Sequence, residues 1–330
     1  MIAQDIAESS QVAAVRRQAV QLGREAGLNT EALDRAALIV TEAGTNLMRH
    51  ARAGKIMALK TPRPAGGEAL SIVAVDSGPG IASVERAMED GFSTAGDGMG
   101  TGLGAIKRQS DRLDIYSDNE GTVLTATIVT RPSTPVEASD IAGVIVPKPG
   151  FAVGGDAWAH RRRGTEDLVM LIDVLGHGPH ADTEARKAKE QFLSGDFDTL
   201  EAAEAAVSEA LAVDRGAAVL IVSVGPAGTP LRAVGLGNVR GEIVLRDDRR
   251  GIPSAPGIAG ASTRRPVPTE HDWPAGATLI LSTDGLKTTQ RQHEPIALMH
   301  RDALTIAAAI YQRRRRDTDD AGVLVVKARP

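Results

Sequence analysis

A glycine-rich loop near residue 100 constrains the fold of this chain more than any other sequence feature. Five glycines alternate with other residues from Gly96 to Gly104, and the helix predicted to follow ends near Arg112. Glycine leaves backbone N–H groups open to a ligand, and a helix N-terminus carries partial positive charge. The loop therefore predicts a phosphate-binding turn. No Gly-Lys-Ser/Thr sequence follows it, so the pattern differs from that of a P-loop.

A long predicted helix upstream carries a carboxylate and an amide on one face. The helix spans about Thr30 to Ala53 with Thr30 as its N-cap, and Glu42 and Asn46 lie four residues apart within it. An amide oxygen suits a magnesium ion, and a nearby carboxylate can orient or deprotonate an attacking group. The pair predicts a site where a cation and a hydroxyl are held together.

A turn after a predicted strand at 69–75 supplies the third motif. It reads Asp76-Ser77-Gly78-Pro79-Gly80. The Asp carboxylate can accept a hydrogen bond from an exocyclic amine, and the two glycines let a flat ring approach the backbone. The turn therefore predicts a site for a nucleobase.

Taken in chain order, the helical pair, the turn and the glycine-rich loop resemble the N, G1 and G2 boxes of the GHKL (Bergerat) ATP-binding fold. The runs 89–96 and 104–108 further resemble the RsbT branch of anti-sigma serine kinases. The resemblance covers about residues 1–130. It implies that Asp76 binds adenine, that Asn46 binds Mg²⁺, that Glu42 is the catalytic base, and that Thr122 lies beside the adenine.

The same resemblance implies a complete set of ATP-binding residues and a serine on a STAS-domain antagonist as the phosphate acceptor. The residues expected to bind ATP and its Mg²⁺ are Asn46, Asp76, Gly78, Gly80, Gly98, Gly100, Gly102, Leu103, Gly104 and Thr122.

Composition bounds the number of domains and excludes several classes of protein. A length of 330 residues favours two domains, and residues 131–139 have the Pro/Ser/Thr composition of a linker. The net charge of −4 argues against a nucleic-acid binder, and the absence of cysteine excludes disulfides and thiolate metal sites. No segment has the length and apolarity of a membrane span or a signal peptide, so we expect a cytoplasmic protein.

Aspartates in the second half of the chain stand at the ends of predicted apolar strands. They are Asp156 in Gly-Gly-Asp, Asp173 before Val-Leu-Gly-His-Gly, Asp284 in Ser-Thr-Asp-Gly-Leu, and the pair Asp319 and Asp320. Such carboxylates repel one another unless cations neutralise them, and oxygen-only ligands favour Mg²⁺ or Mn²⁺. Two such ions can hold a bridging water and direct it at a phosphate ester.

This second set of motifs resembles the SpoIIE/RsbX branch of the PPM phosphatases over about residues 141–330. The resemblance implies two Mn²⁺ or Mg²⁺ ions, bound by Asp156, Asp173, Asp284, Asp319 and the main-chain carbonyl of Val174. The chain departs from the family at Val174, where a glycine is usual. The choice between Asp319 and Asp320 stays open, with Asp319 favoured.

The expected fold is mixed α/β with two domains. A GHKL α/β sandwich is expected over 1–130, a linker over 131–140 and a PPM-type α/β/β/α sandwich over 141–330. Predicted helices cover about 9–26, 30–53, 83–90, 181–193, 199–213 and 302–314. Predicted strands cover about 54–60, 69–75, 113–117, 121–129, 142–146, 151–159, 168–174, 219–224, 232–236, 241–245, 278–282 and 322–328.

The predicted function is that of a bifunctional regulator in sigma-factor or stress signalling. It combines an ATP-dependent serine kinase with a metal-dependent phosphoserine phosphatase acting on STAS-domain antagonist or scaffold proteins. A downstream phosphatase or sigma-factor regulator is a further possible partner, and neither nucleic acid nor membrane is expected. Two alternatives stay open: a phosphatase whose first domain only binds ATP or docks the partner, and a partner-switching protein that catalyses nothing.

Overall fold

The computed structural model describes most of the chain as two compact units. The described residues are 1–51, 53–63, 66–88, 102–130, 135–211, 215–246, 248–262, 265–288 and 294–329. The first unit comprises Met1–Ser139 together with His300–Arg313, and the second comprises Asp140–Met299 together with Arg314–Pro330.

The first unit is built on a five-stranded antiparallel sheet. Its strands are β1 (Ile2–Ile6), β2 (Gly54–Pro62), β3 (Glu68–Asp76), β4 (Arg112–Asp118) and β5 (Gly121–Ile128). They lie in the order β1-β2-β3-β5-β4, so the hairpin β4–β5 pairs with β3 through β5. This order brings the end of β3 next to the β4–β5 turn, where the first candidate site lies.

Helices of the first unit bury a regular apolar stripe against this sheet. They are α1 (Ser9–Glu25), α2 (Thr30–His50), the single turn α3 (Val84–Ala87) and α4 (Gly102–Gln109). The N-cap of α2 is Asn29 rather than the predicted Thr30, because the Asn29 side chain accepts a hydrogen bond from the Ala32 N–H at 3.0 Å. The side chains of α1, α2 and α4 share one core with the sheet.

A helix from the C-terminal part of the chain completes the first unit. The helix that we label α8 (Ala303–Arg314) is buried from Ala303 to Tyr311, on every side of the helix. Thr305 and Thr125 of β5 share a buried hydrogen bond of 2.9 Å. From the sequence, residues 302–314 are expected in the second domain, whereas their packing groups His300–Arg313 with the first unit.

The second unit contains two five-stranded antiparallel sheets. The first is ordered β13-β10-β9-β8-β7 and the second β12-β11-β14-β15-β6. The strands are β6 (Ile141–Val146), β7 (Asp156–Arg163), β8 (Glu166–Val174), β9 (Ala217–Val224), β10 (Leu231–Leu236), β11 (Arg240–Leu245), β12 (Asp248–Ile252), β13 (Thr269–His271), β14 (Thr278–Ser282) and β15 (Ala321–Lys327).

Two apolar cores give the second unit its layers. One core lies between the two sheets, and the other lies between the first sheet and the helices α5 (Pro179–Ser194) and α6 (Leu200–Leu211). A short helix α7 (Ile296–Met299) precedes the segment that joins the first unit. The mixed α/β class that the sequence predicts is confirmed, with layered sheets and helices in both units.

Three strands have no counterpart among the predicted ones, and one is displaced. β1, β12 and β13 each lie at the edge of their sheet, and β12 consists mainly of charged residues. An edge strand is paired on one side only, so it needs no continuous apolar run. β7 begins at Asp156, whereas the predicted strand began at 151, because residues 151–155 form the turn that leads to the second candidate site.

Candidate nucleotide and metal sites

The Asp76 carboxylate occupies the end of β3 in the first unit, where two backbone turns meet. It accepts a hydrogen bond from the Gly78 N–H at 2.6 Å and is also bonded by the main chain and side chain of Thr122. Burial raises the pKa of Asp76, and these hydrogen bonds and the nearby His50 oppose the rise. The structure therefore brings the predicted Asp76, Gly78 and Thr122 together.

Two glycines make this close approach possible. Gly80 has φ +78°, and a Cβ there would overlap the carbonyl oxygen of Asp118. Gly121 has φ +138°, and a Cβ there would overlap the carbonyl oxygen of Asp76. Both positions lie in the left-handed half of φ space, where a side chain is disfavoured. Gly80 belongs to the predicted set of ATP-binding residues, whereas Gly121 does not.

The start of α4 lies directly against the polar pair on α2. A Cβ on Gly102 would stand 3.0 Å from the Asn46 amide oxygen and 3.5 Å from a Glu42 carboxylate oxygen. Glu42 and Asn46 are both half-buried and lie on one face of α2. The structure thus joins the glycine-rich loop to the Glu42–Asn46 pair, and the positive end of α4 lies beside an amide oxygen that can bind Mg²⁺.

The remaining predicted residues of the glycine-rich loop divide into two groups. Leu103 packs partly against the core of the first unit, and Gly104 is buried in α4. Gly98 and Gly100 lie outside the described residues. The described donor and acceptor groups suit ATP: the half-buried Asp76 carboxylate for the base, a helix N-terminus for phosphate, and an amide oxygen for Mg²⁺.

In the second unit, four separate chain segments bring five aspartates into one neighbourhood. Asp156 opens β7 and is the cross-strand partner of Asp173 near the end of β8. Asp284 follows β14, and the pair Asp319 and Asp320 precedes β15, the neighbour of β14 in the sheet. Because β14 pairs with β15, the two loops that carry these aspartates lie at one end of the sheet. The sequence alone places the five along 165 positions of chain, from 156 to 320.

Burial and mutual repulsion perturb the carboxyl groups of this neighbourhood. Asp156 is 7% exposed, and burial followed by repulsion from Asp173 raises its pKa well above the usual range. Burial followed by repulsion from Asp284, Asp319 and Asp320 raises the pKa of Asp173 to about 7. Bound cations would remove this repulsion, so the residues present fit a divalent metal site. Among the described residues, no three acidic or histidine side chains already form a closed chelate.

Asp319 and Asp320 have different environments, which separates their roles. Asp320 is 4% exposed, and its two carboxylate oxygens accept the N–H groups of Lys148 at 2.7 Å and Gly155 at 2.6 Å. Asp319 is exposed, and one of its oxygens accepts only the Asp320 N–H at 2.9 Å among the described contacts. Asp320 therefore links the backbone at Lys148 to the backbone at Gly155. The Asp319 carboxylate keeps oxygen lone pairs that can bind a metal ion.

The valine at position 174 fits the local backbone. Val174 is 1% exposed and packs in the core under α5 and α6, while its N–H donates to the Gly155 carbonyl at 3.2 Å. The sharp turn comes later, at Gly176 with φ +102° and Gly178 with φ +82°. A Cβ on Gly155 would stand 2.7 Å from the Val174 carbonyl oxygen, so Gly155 keeps that oxygen accessible.

Two further residues support the carboxylates and were not predicted. The Thr283 hydroxyl donates to Asp156 at 2.7 Å and accepts the Gly322 N–H at 2.8 Å. The Asn238 amide donates to Asp284 at 2.8 Å. Thr283 could have been found from its place beside Asp284, whereas nothing local in the sequence marks Asn238.

Comparison with known proteins identifies relatives of both parts of the fold. The family model described as histidine kinase-like ATPase domain matches residues 6–128. The serine/threonine-protein kinase RsbT of Bacillus subtilis (strain 168) is 34% identical over 116 residues, which cover 35% of this chain and 86% of RsbT. The fold expected for the first unit is thereby confirmed.

Solved structures also resemble the chain. One, described as "The bacterial stressosome: a modular system that has been adapted to control secondary messenger signaling", matches with a TM-score of 0.51 and 22% identity, over 57% of this chain and 98% of that chain. This similarity is one of fold alone. RsbX in complex with magnesium matches with a TM-score of 0.48 and 14% identity, over 65% of this chain and 98% of RsbX. No described helix has the length and apolar composition needed to cross a membrane.

Proposed function

The chain belongs to the histidine kinase-like ATPase family, with RsbT as a relative, and from this premise we propose that it is a bifunctional phosphorylation regulator. Its first unit transfers the γ-phosphoryl group of ATP to a serine of a partner protein. Its second unit hydrolyses phosphoserine in a metal-dependent reaction of the PPM type. The proposal rests above all on one observation: each unit gathers a separate set of phosphate-handling groups from distant parts of its sequence.

The described residues of the first unit support the kinase half. Gly78 and Thr122 orient the Asp76 carboxylate through hydrogen bonds. In this orientation Asp76 would accept a hydrogen bond from the adenine amine. Asn46 would hold the Mg²⁺ that accompanies the phosphates, and the N-terminus of α4 at Gly102 would stabilise their negative charge. Glu42 then lies beside the phosphate end of the pocket, where it orients the acceptor hydroxyl and takes its proton.

The aspartate neighbourhood supports the phosphatase half. Asp156, Asp173, Asp284 and Asp319 would hold two divalent ions, with the Val174 carbonyl as a further ligand. When bound, two such ions would activate a water molecule and neutralise the charge of a phosphate ester. Thr283 orients Asp156, and Asn238 orients Asp284, through the hydrogen bonds described above. Hydrolysis of this type needs no protein nucleophile, in keeping with a chain that contains no cysteine.

The proposed partners are STAS-domain antagonist or scaffold proteins, by analogy with the RsbT relationship. Opposing activities on one chain raise the local concentration of each enzyme at a shared target, so the phosphorylated fraction depends on the balance between them. A sigma-factor regulator or a second phosphatase downstream is a further candidate partner.

The phosphatase half is tested by phosphate release in Mn²⁺. The full chain and an Asp284→Ala variant are incubated with p-nitrophenyl phosphate and with a STAS-domain protein phosphorylated on serine. We expect metal-dependent release from the native protein and at least a hundredfold loss in the variant. Release that survives both Asp284→Ala and chelation of the metal contradicts the assignment of this site.

The kinase half is tested by phosphate transfer from labelled ATP to the unphosphorylated STAS-domain protein. The assay uses the Asp284→Ala background, so that hydrolysis does not erase the product. We expect transfer by this protein, and loss of transfer with retained ATP binding when Glu42→Ala is added. ATP binding without transfer would favour a first unit that only senses ATP or docks the partner. A native protein with neither phosphate release nor phosphate transfer would favour a protein that only binds its partners.

A further inference from the structure

An arginine outside the proposed metal ligands lies against the turn that follows Asp173 and Val174. Arg215 immediately precedes β9, and a Cβ on Gly176 would overlap a terminal guanidinium nitrogen of Arg215. Gly176 stands three residues after Asp173 and has φ +102°. The glycine therefore leaves the space that the guanidinium occupies.

The Arg215 side chain has no carboxylate partner among the residues that the structure describes. Its side chain is exposed, and within the described residues it forms neither an ion pair nor a hydrogen bond. Arg163 and Arg250, by contrast, each contact carboxylates at 2.9 to 3.3 Å. An exposed guanidinium next to a metal site is suited to a planar, bidentate contact with phosphate oxygens.

Exposed apolar side chains surround the same turn. Leu175, Phe151 and Ile258 are 46%, 39% and 39% exposed. The Phe151 ring lies 4.4 Å from the ring of His177, measured between centroids. The Leu175 N–H donates to the Gly216 carbonyl at 3.1 Å, and a Cβ on Gly216 would overlap Ile258. These three side chains, which we call the apolar rim, thus flank Arg215 and the turn from Asp173 to Gly178.

We propose that Arg215 binds the phosphate of the substrate and that the apolar rim binds apolar side chains next to the phosphoserine. The substrate class is therefore a protein segment in which large apolar residues flank the phosphoserine, rather than a small phosphate ester. The argument joins charge complementarity at Arg215 with contact area at the rim. This inference deepens the proposed phosphatase activity and rests on it.

Inorganic phosphate tests the role of Arg215 directly. In the full chain with Mn²⁺, phosphate inhibits hydrolysis of p-nitrophenyl phosphate as the product. Arg215→Ala should raise the inhibition constant about 10- to 100-fold, because a charged hydrogen-bonded contact is lost. Arg215→Lys should recover part of the affinity. Arg250→Ala, at another exposed arginine, serves as the matched control and should leave the constant unchanged.

Two phosphoserine peptides of equal length test the apolar rim. One carries leucine and valine on both sides of the phosphoserine, and the other carries glycine and serine. The native protein should have a lower KM for the apolar peptide. Leu175→Ser combined with Ile258→Ser should remove about a 10-fold preference, with little change in kcat or in the use of p-nitrophenyl phosphate. Val267→Ser is the control, since Val267 is 81% exposed and lies outside the rim.

The outcomes separate this inference from the activity on which it rests. A native protein active on all three substrates, with unchanged phosphate inhibition in Arg215→Ala, overturns the role of Arg215. Equal KM values for the two peptides overturn the role of the rim. A native protein that releases no phosphate from any substrate overturns the phosphatase proposal itself, and the inference with it.

Discussion

At the scale of single residues, neighbouring side chains of the same type differ in role because their surroundings differ. Asp319 and Asp320 are adjacent and chemically identical, yet one is exposed and the other is 4% exposed with two N–H donors. A charge-assisted hydrogen bond to a buried carboxylate stabilises the fold, whereas an exposed carboxylate contributes little to it. We therefore expect Asp320 to affect mainly the stability of the fold and Asp319 to affect mainly metal binding.

Substitution of each residue tests that separation. Asp320→Asn should lower the free energy of unfolding by about 1–3 kcal/mol, because one of two charged acceptors for backbone N–H groups is lost. Asp319→Asn should not lower it, because Asn can still accept the Asp320 N–H and the lost charge relieves repulsion on Asp173, while Mn²⁺ binding should weaken at least tenfold. Denaturant unfolding of the metal-free protein and calorimetric titration of Mn²⁺ measure the two effects. Weaker binding in Asp320→Asn alone would reverse the assignment.

The raised pKa of Asp173 leads us to expect that the stability of the metal-free protein depends on pH. Its pKa is about 7 in the folded protein against an ordinary 3.8, so the folded state holds the proton more tightly. The resulting stabilisation is fully present below pH 3.8 and is lost as the pH rises through 7, by up to about 4 kcal/mol. We expect the metal-free Tm to fall between pH 5 and pH 8, and to fall less in Asp173→Asn.

Manganese provides the complementary measurement. Because bound cations relieve the repulsion among the carboxylates, Mn²⁺ should raise the Tm of the native protein more at pH 8 than at pH 5. An equal rise at both pH values, or in Asp173→Asn, would contradict the coupling between this carboxyl group and the metal.

At the scale of secondary-structure elements, α8 shows how a helix is assigned by its contacts rather than by its place in the chain. Asp302, just before α8, receives a bidentate contact from Arg112 of β4, with both N–O distances 2.6 Å. The Asp302 N–H also donates to Asp114 at 2.9 Å. At its far end, the Gln312 amide contacts Ser77, the residue after Asp76, at 2.5 Å. The helix and the residue before it thus contact the start of β4 and the residue after the end of β3.

Removal of the Asp302 carboxylate should destabilise the first unit. Asp302→Ala leaves the half-buried Arg112 without its main partner, and we expect a loss of about 1–3 kcal/mol. Glu68→Ala breaks the exposed pair with Lys60 and should cost less than about 1 kcal/mol. Hydrogen exchange of β4 and β5 amides measures the effect where it should occur. Equal protection in the two variants would show that α8 does not stabilise these strands.

At the scale of the whole molecule, the compact units do not coincide with continuous stretches of chain. The first unit takes residues 1–139 and also 300–313, so its sheet depends on a helix that the chain supplies last. A fragment cut after residue 139 lacks that helix and exposes the surface around the buried Thr125. Exposed apolar surface of this kind lowers stability and promotes aggregation.

Two fragments test this dependence. Residues 1–139 alone should unfold at a lower temperature than the same residues joined to 299–314 through a Gly/Ser linker. ATP binding should follow stability, since Ser77 contacts α8 next to Asp76. Calorimetry and ATP titration of both fragments provide the comparison. Identical Tm values would mean that α8 adds nothing to the first unit.

The amino-acid sequence by itself determined the local features of this protein. The helical period in 9–26, the Glu42–Asn46 spacing and the turn after Asp76 each depend on residues within a few positions of one another, so they are visible without a structure. The mixed α/β class follows from the same local patterns. Family resemblance then identified the aspartates as one set, which spacing alone does not do.

Only the tertiary structure decided the long-range features. It paired Asp156 with Asp173, distinguished Asp319 from Asp320, and brought Asn238 and Arg215 to the same neighbourhood. It also grouped residues 300–313 with the first unit. The physical reason is that strand pairing and burial join residues far apart in the chain, as Asp320 and Gly155 are. No local period or spacing encodes which distant partner a side chain will meet.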